Sequence, residues 1–552
     1  MKNFSVFSIF QSGMVLQRQK PIPIWGTAPS GSLITVFLSR ADGFDRVQAQ
    51  TSAQPDGTWH CSLPPQEAGE YCSLTISCGD FSDEILSCDV SSDTVISLKD
   101  ISIGDVWLAC GQSNMEFFLR YEESWETIQN YPKNPKIHMY NVPQLAFPGQ
   151  QKDTAGWGKW LTEGDAGFET FSAPGYSFAR HIQPHIHVPI GIIGCNWGGT
   201  TASAWLDEAF LQEAPLNCYL DEYSLALNAY SPDELEQVSL KGWEFEVSEK
   251  HGKDFMPLMY GREVRWQEQY MKDHAEDPVI PSGPWSINRP GGLFHQMLEP
   301  LIPFAIKGAL WYQGESDACH ADIYDRLLTA LISCWREKWN DPFPFLFVQL
   351  APFGRWLECD STNYCKVRAK QELVSKSVPD TGMVSLMDIG SYYDIHPKKK
   401  MEVGRRLALL ARGLVYGESI LCESPELIGI DIKHCPDALS SIYLTFSNCS
   451  QLTITELSTK PLDVPEPEEI AHASHRSYSQ LISSDEIRGF QIIQNGRSIP
   501  IQNIVLENDQ VILQADIAPQ LPCTVSLAWA DYAVVNLVNE MGLPIRPFTV
   551  TR

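Results

Sequence analysis

The chain is poor in positive charge and has no long apolar run. Its 552 residues include 41 Lys and Arg against 68 Asp and Glu, which gives a formal net charge of −27. Lys398–Lys400 is the one basic cluster, so neither nucleic acid nor an anionic membrane is an expected partner. The longest uncharged stretch, 188–206, contains Asn196 with several glycines and threonines. It therefore predicts a strand and a turn rather than a membrane span.

Export and metal-binding signals are also missing. Residues 1–12 contain neither a continuous apolar segment nor a small-residue cleavage site, so no signal peptide is expected. The 15 cysteines are scattered, and no C-x-x-C pair has a matching partner. The sequence thus predicts reduced thiols, a cytoplasmic location, and no metal or other cofactor.

The pattern of apolar residues predicts an α/β protein with three regions. Short alternating runs separated by turns cover 1–100 and return over 425–552, which is typical of antiparallel β-sandwiches. Between them, 101–424 alternates apolar strands with helical patterns, which predicts a mainly parallel sheet with helices on both faces. Residues 207–290 are aromatic and charged, and we interpret them as an insertion that covers or flanks the site. Residues 464–469 and 471–479 are predicted to be exposed linkers.

Polar or Gly-rich loops follow several of the predicted buried strands, and ligands bind at the carboxyl ends of such strands. The strand Val106–Cys110 stops at Gly111 and leads to Ser113 at the start of a helix, beside unpaired backbone N–H groups. This position suits a serine nucleophile and part of an oxyanion hole. An ordinary N-cap serine is the alternative interpretation.

A serine nucleophile needs a base, usually a histidine oriented by a carboxylate. His396 follows a predicted strand ending near Asp388 and lies two residues after Asp394. A loop or capping role is the alternative for both residues. The G-x-S-x-G motif is absent, because Met115 occupies its last position.

A tetrahedral intermediate also needs N–H donors for its oxyanion. The candidates are the backbone of Ser113, that of Gly198 or Gly199 in the turn after a strand at 189–194, and the side-chain amide of Gln313. The turn at 196–200 could equally be a strand-to-helix connection capped by Thr200.

Several separated motifs, in the right order, resemble the sialate O-acetylesterase family of the SGNH-hydrolase superfamily. The motifs are Met14–Arg18, Ile24–Thr27, Gly111–Glu116, Gly291–Phe294, Trp311–Ser316, Asp394–Pro397 and Val403–Leu407. The resemblance runs from about residue 8 to 415. It implies an SGNH-type three-layer α/β/α hydrolase domain, here flanked by N-terminal and C-terminal β-sandwich regions.

The resemblance also implies roles for individual residues. Ser113 would be the nucleophile, His396 the base, and Ser113, Gly198, Gly199 and Gln313 the oxyanion hole, with Gln313 where other SGNH enzymes place Asn. Many of these enzymes have Asp three residues before the His, which is Tyr393 here, so both a triad with Asp394 and a Ser–His dyad stay open. The expected substrate-binding residues are Gln112, Asn114, Glu315 and Arg368, although a helix-face salt bridge is the alternative for the last two.

The expected reaction is removal of acetyl groups from O-acetylated sialic acid through an acyl-enzyme. The partner would be a small O-acetylated sugar, and the oligomeric state is left open. A sialate carboxylate would need an arginine, with Arg120, Arg289 and Arg368 as candidates. The alternatives are an esterase acting on acetyl-xylan or acetyl-mannan oligosaccharides, a non-catalytic carbohydrate-binding protein, and a metal-dependent hydrolase.

Overall fold

The computed structural model describes residues 3–40, 46–79, 94–150, 157–248, 270, 272–357, 359–435, 438–455, 487–519 and 521–552. The predicted linkers at 464–469 and 471–479 lie outside these residues. The described strands are β1 (Ser5–Val6), β2 (Val15–Gln17), β3 (Ile22–Thr27), β4 (Leu33–Ser39), β5 (Arg46–Ser52), β6 (Thr58–Leu63), β7 (Gly69–Cys78), β8 (Val95–Gly111), β9 (Ile137–Asn141), β10 (Trp160–Thr162), β11 (Ile190–Asn196), β12 (Gly308–Tyr312), β13 (Phe345–Val348), β14 (Arg355–Trp356), β15 (Cys359–Asp360), β16 (Thr381–Val384), β17 (Glu426–Lys433), β18 (Ser440–Ser447), β19 (Thr453–Ile454), β20 (Phe490–Gln494), β21 (Arg497–Ile499), β22 (Ile501–Glu507), β23 (Gln510–Ala515), β24 (Cys523–Leu527), β25 (Leu537–Val538) and β26 (Phe548–Thr551).

The described α-helices are Ser113–Glu116, Trp125–Ile128, Ala173–Ile186, Cys218–Leu227, Pro232–Glu246, Tyr324–Trp339, Tyr364–Ser377 and Lys400–Leu414. Shorter helical segments of 3₁₀ type are Leu119–Tyr121, Phe168–Thr170, Ala202–Trp205, Glu208–Leu211, Glu299–Leu301 and Glu315–Ile323, and Phe294–Leu298 is a π-helix. None of the helices in the described ranges is both long and apolar enough to cross a membrane.

The central sheet has the strand order β10-β9-β11-β8-β12-β13-β16. Every pairing from β9 to β16 is parallel, and β10 is an antiparallel edge strand. The buried strands β9, β11, β12 and β13 have no exposed residue, as expected for a parallel sheet covered by helices. The predicted mixed α/β class is confirmed.

Helices contact both faces of this sheet. Trp107 of β8 packs on Phe178 in the helix before β11, with ring centroids 4.9 Å apart. Trp311 of β12 is the register partner of Cys110 and packs on Trp335, in the helix after β12, at 5.6 Å. Trp107 and Cys110 are three positions apart on one strand, so their side chains point to opposite faces. The two helices therefore cover different faces.

Strand β8 links the N-terminal strands to the central sheet. Its first part pairs antiparallel with β7 up to Ile103, and its last part, from Asp105, pairs parallel with β11. β7 continues through β4 to β5, while β1, β3 and β6 form a separate sheet. The boundary predicted at residue 100 thus falls inside one continuous strand of 17 residues.

The described part of the C-terminal region has two four-stranded antiparallel sheets, with the orders β17-β18-β23-β22 and β21-β20-β24-β26, and a two-stranded sheet of β19 and β25. They bury a common apolar cluster that includes Leu444, Leu513, Ile492 and Val525. The region predicted as an insertion contains the helices Cys218–Leu227 and Pro232–Glu246, and 249–269 lie outside the described residues.

Three strands of the central sheet end at the same level, and this alignment builds the site. Gly111 of β8 is the register partner of Asn196 on one side and of Tyr312 on the other. A Cβ at Gly111 would lie 2.2 Å from the carbonyl oxygen of Tyr312, so only glycine fits where the chain leaves the strand. The loops that follow these strands therefore emerge side by side.

Candidate active site

Ser113 is the first residue of a short helix directly after β8 and is 4% exposed. Its Oγ lies 2.9 Å from Nε2 of His396, although 283 residues separate the two in sequence. His396 comes from the loop between β16 and the Lys400–Leu414 helix and is 2% exposed. The hydroxyl and the imidazole predicted from sequence are thus within hydrogen-bond distance, which is the geometry that a nucleophile and its base require.

Asp394 contacts the loop of His396 more closely than it contacts the ring. Its Oδ1 accepts the backbone N–H of His396 at 2.8 Å and lies 3.7 Å from Nδ1, beyond hydrogen-bond distance. Its other oxygen pairs with Lys398 Nζ at 2.8 Å. Burial raises the pKa of Asp394, and the nearby Lys398 opposes this rise. In this geometry Asp394 fixes the turn that carries the imidazole.

Two of the predicted oxyanion donors already donate hydrogen bonds within the protein. The N–H of Gly198 donates to Glu116 at 2.6 Å. The Gln313 amide nitrogen donates to the carbonyl of Thr200 at 3.1 Å and to Asp317 at 2.5 Å, which uses both of its hydrogens. Gln313 is also fully buried, so its amide supports neighbouring loops instead of facing a ligand.

Two backbone donors remain. The first N–H groups of a helix have no acceptor within it, and this applies to Ser113. Across the described part of the chain, no acceptor contacts the N–H of Ser113 or of Gly199. A Cβ on the adjacent Gly198 would lie 3.2 Å from the Ser113 Cβ, so the glycine turn packs directly against Ser113.

The predicted substrate-binding residues are nearly all internal. Arg368 is fully buried and donates to the backbone carbonyls of Ala530 and Asp531, so it holds the C-terminal region. Asn114 is 1% exposed, and all its amide hydrogens are used inside the protein. Substrate binding by Arg368 and Asn114 stays a prediction from sequence, and in this structure both side chains make their hydrogen bonds to other parts of the protein.

Gln112 and Glu315 are also tied to neighbouring groups. The side-chain oxygen of Gln112 accepts the backbone N–H groups of Gly314 and Ser316 at 3.4 and 3.3 Å. Glu315 accepts a hydrogen bond from Asn114, and burial raises its pKa. Both residues therefore connect the loop after β12 to the nucleophile helix.

Comparison with known proteins gives a consistent result. The family model described as carbohydrate esterase, sialic acid-specific acetylesterase matches residues 285–411. The sialate O-acetylesterase of Rattus norvegicus is 27% identical over 449 residues, covering 76% of this chain and 74% of the rat protein. The human sialate O-acetylesterase is 25% identical over 453 residues, covering 76% and 72%. The crystal structure of a carbohydrate acetylesterase from Xanthomonas citri aligns over 99% of both chains with a TM-score of 0.68 and 25% identity.

The resemblance to the sialate O-acetylesterase family is confirmed. The chain is a carboxylic ester hydrolase.

Three residues of the esterase site were not predicted from sequence. Glu116 holds the glycine turn, although its spacing from Ser113 suggests a capping box at the helix start. Trp356 packs edge-on against the His396 ring at 5.4 Å. Lys400 is fully buried beside Asn114. The S-x-x-E spacing indicates a helix cap and not the contact of Glu116 with the glycine turn, and nothing local marks Trp356 or Lys400.

The region between β11 and β12 contacts the same loops. Tyr219 donates to Asp317 at 2.7 Å, and Trp243 packs on Trp197 with ring centroids 6.0 Å apart. Asn288 accepts the N–H of Thr201 at 2.8 Å and donates to the carbonyl of Gly199 at 3.2 Å. In the esterase this segment flanks the glycine turn at 197–201.

One group of possible metal ligands occurs among the described residues, namely Asp207, Glu208 and His295. Asp207 pairs with Lys338, and the two ring nitrogens of His295 contact Glu208 and Glu299 at 2.7 and 2.8 Å. Ion pairs and hydrogen bonds within the protein therefore account for this group.

Proposed function

We propose that this esterase removes acetyl groups from O-acetylated sialic acid through an acyl-enzyme formed on Ser113. The observation that carries the proposal is the 2.9 Å contact between Ser113 Oγ and His396 Nε2 at the carboxyl end of a parallel sheet. A serine hydroxyl in hydrogen-bond contact with a histidine can be deprotonated as it attacks an ester carbonyl.

The first half-reaction forms the acyl-enzyme. Oγ of Ser113 attacks the acetyl carbonyl while His396 accepts the hydroxyl proton. The N–H groups of Ser113 and Gly199 stabilise the negative charge on the carbonyl oxygen. The C–O bond to the sugar then breaks, and His396 gives its proton to the departing alkoxide.

The second half-reaction releases acetate. A water molecule attacks the acetyl-serine while His396 accepts its proton, and the tetrahedral intermediate again forms beside the two N–H groups. Collapse of this intermediate breaks the bond to Oγ and returns the proton from His396 to Ser113. Atoms and protons balance without a cofactor.

The architecture expected for this activity is an SGNH-type three-layer α/β/α domain over 101–424, flanked by β-sandwich regions at 1–100 and 425–552. The parallel central sheet with helices on two faces supports this division. Because β8 runs through the first boundary, the N-terminal region and the hydrolase domain share that strand. The cytoplasmic location stays a prediction.

Sialic acid is the proposed substrate because the curated relatives are named for it. Its carboxylate needs a cation, and Arg289 is the best placed of the three candidates. It follows Asn288, which contacts the glycine turn beside Ser113, and its guanidinium has no ion pair within the described residues. Arg368 is buried elsewhere, and Arg120 packs over the rings of Phe118 and Tyr121 at 5.1 and 4.9 Å.

The test compares acetate release from O-acetylated sialic acid and from acetyl-xylooligosaccharides. We expect a higher kcat/KM on the sialate ester and none with Ser113→Ala. Arg289→Gln should raise KM for the sialate ester roughly tenfold, because it loses a charge-assisted contact, and leave 4-nitrophenyl acetate turnover unchanged. Arg120→Gln is the matched control. A higher kcat/KM on the xylooligosaccharide would make plant polysaccharide, rather than sialic acid, the substrate. Binding of the sugar without turnover would favour a non-catalytic carbohydrate-binding protein.

A further inference from the structure

A single buried amide joins the nucleophile helix to the histidine loop. Asn114 directly follows Ser113, and its Nδ2 donates to the carbonyl of Ile395, the residue before His396, at 3.0 Å. The same nitrogen donates to Glu315 at 2.5 Å. The side chain of Asn114 therefore bridges the chain neighbours of the two reacting groups.

The orientation of this amide is fixed by charge. Both hydrogens of Nδ2 face acceptors, and Oδ1 accepts a hydrogen bond from Lys400 Nζ. If the amide flipped, Oδ1 would face the carbonyl of Ile395 and the carboxylate of Glu315, while Nδ2 would face an ammonium group. Lys400 thus selects the orientation that allows Asn114 to hold the loop of His396.

Lys400 is itself enclosed. It is fully buried, and its Nζ lies 5.0 Å from the ring centroid of Phe117 and 5.2 Å from that of Tyr312. The charged groups that face it from the surrounding elements are Glu315, Asp394, Glu122 and Lys398. Burial lowers its pKa to about 7, and the three carboxylates oppose this shift. Burying the Lys400 ammonium costs free energy, so we infer that this residue does more than fill space in the core.

We propose that Asn114 and Lys400 are positioning residues that set the alignment of Ser113 with His396, Lys400 acting through the amide of Asn114. The proposal rests on the proposed roles of Ser113 and His396. Nucleophilic attack is sensitive to displacements near 1 Å, which can cost about a hundredfold in rate. Neither residue needs to touch the substrate, so the effect should fall on kcat rather than on KM.

The first test is Lys400→Met in the full-length chain, measured with 4-nitrophenyl acetate. We expect kcat to fall roughly 10- to 100-fold with KM within about twofold, and the thermal midpoint to be maintained, because methionine fills the buried space without a charge. Lys399→Met is the matched control, since it makes the same change one position away, and it should keep the wild-type kcat.

A double-mutant cycle separates positioning from general structural support. Asn114→Ala should lower kcat at least as much as Lys400→Met, and the double variant should lose no more than Asn114→Ala alone, because both changes remove one linkage. Asn114→Asp keeps the acceptor for Lys400 but loses the donor to Ile395, so it should fail to restore kcat.

The same series includes Ser113→Ala, so the two proposals can fail separately. Full activity of Lys400→Met, or additive losses in the double variant, would overturn the positioning role while leaving Ser113 as the nucleophile. Retained turnover in Ser113→Ala would overturn the proposed function itself.

Discussion

Replacing Asp394 by asparagine tests whether this carboxylate orients the imidazole of His396 or holds the loop that carries it. In the structure Asp394 Oδ1 is 3.7 Å from His396 Nδ1 but 2.8 Å from the backbone nitrogen of the same residue. An asparagine can keep the backbone hydrogen bond, but it loses the ion pair with Lys398 and the negative charge that faces Lys400.

The expected change in kcat/KM for Asp394→Asn follows from these contacts. A partly buried ion pair contributes about 1 kcal/mol, so its loss should change kcat/KM by roughly fivefold. In a triad whose carboxylate hydrogen-bonds Nδ1, the same substitution costs about 10⁴-fold. Asp394→Ala also removes the acceptor of the backbone N–H and should therefore be the more damaging of the two, by about another tenfold.

The assay is steady-state kcat/KM for 4-nitrophenyl acetate for both variants, with thermal midpoints measured in parallel. A loss of 10³-fold or more in Asp394→Asn, equal to that in Asp394→Ala, would refute the reasoning and assign the carboxylate a place in a catalytic triad.

Three further predictions follow. His396→Ala should lower kcat by at least about 10³-fold with little change in folding, and near-normal turnover would remove it from the mechanism. Glu116→Gln should lower kcat/KM about tenfold, because an amide cannot accept hydrogen bonds from both the Gly198 N–H and the Gln144 side chain. Glu123→Gln, on the exposed surface, is the control. Equal kcat/KM for the two variants would exclude a role of Glu116 in the reaction. Since the pKa of Lys400 is about 7 when folded and about 10.5 when unfolded, the unfolded chain binds more protons between these values. The free energy of unfolding of the wild type should therefore rise by about 2 to 3 kcal/mol relative to Lys400→Met from pH 7 to pH 9 in urea titrations, and parallel curves would contradict this.

The sequence predicted the secondary structure of the central region well where periodicity is strong. One of the helical patterns predicted within 101–424 corresponds to the helix Tyr324–Trp339, whose apolar face repeats at helical spacing and which Asn340 ends with a positive φ of 51°. The continuous apolar runs before Gly111 and Asn196 are likewise buried strands.

The extent of β8 was harder to predict. The sequence predicted a boundary at residue 100, where the short alternating runs give way to strands alternating with helical patterns. The strand continues nevertheless, because β7 pairs with it on both sides of Asp100, which adopts a positive φ of 55°. Pairing with a neighbouring strand thus outweighed the local sequence.

In the site, too, some features could be predicted from the sequence and others could not. Ser113 and His396 could be identified as candidates because each follows a predicted strand. Their contact depends on the path of the loop between β16 and the Lys400–Leu414 helix, since β12 and β13 lie between β8 and β16 in the sheet. Which polar groups are satisfied internally could not be predicted, because it depends on contacts between distant segments. Gln313 meets Asp317 and Thr200, and Arg368 meets the C-terminal region, and no local pattern encodes these pairings.

If Ser113 is the nucleophile, the acetyl group is attached to its Oγ during turnover. The most direct measurement is intact-protein mass spectrometry of the enzyme, rapidly quenched in acid during turnover of O-acetylated sialic acid, followed by peptide mapping. We expect a gain of one acetyl group on the peptide containing Ser113, and no such gain in Ser113→Ala. Undiminished acetate release by Ser113→Ala would contradict the role of Ser113. So would an acetylated form of another residue that appears and decays fast enough to account for turnover.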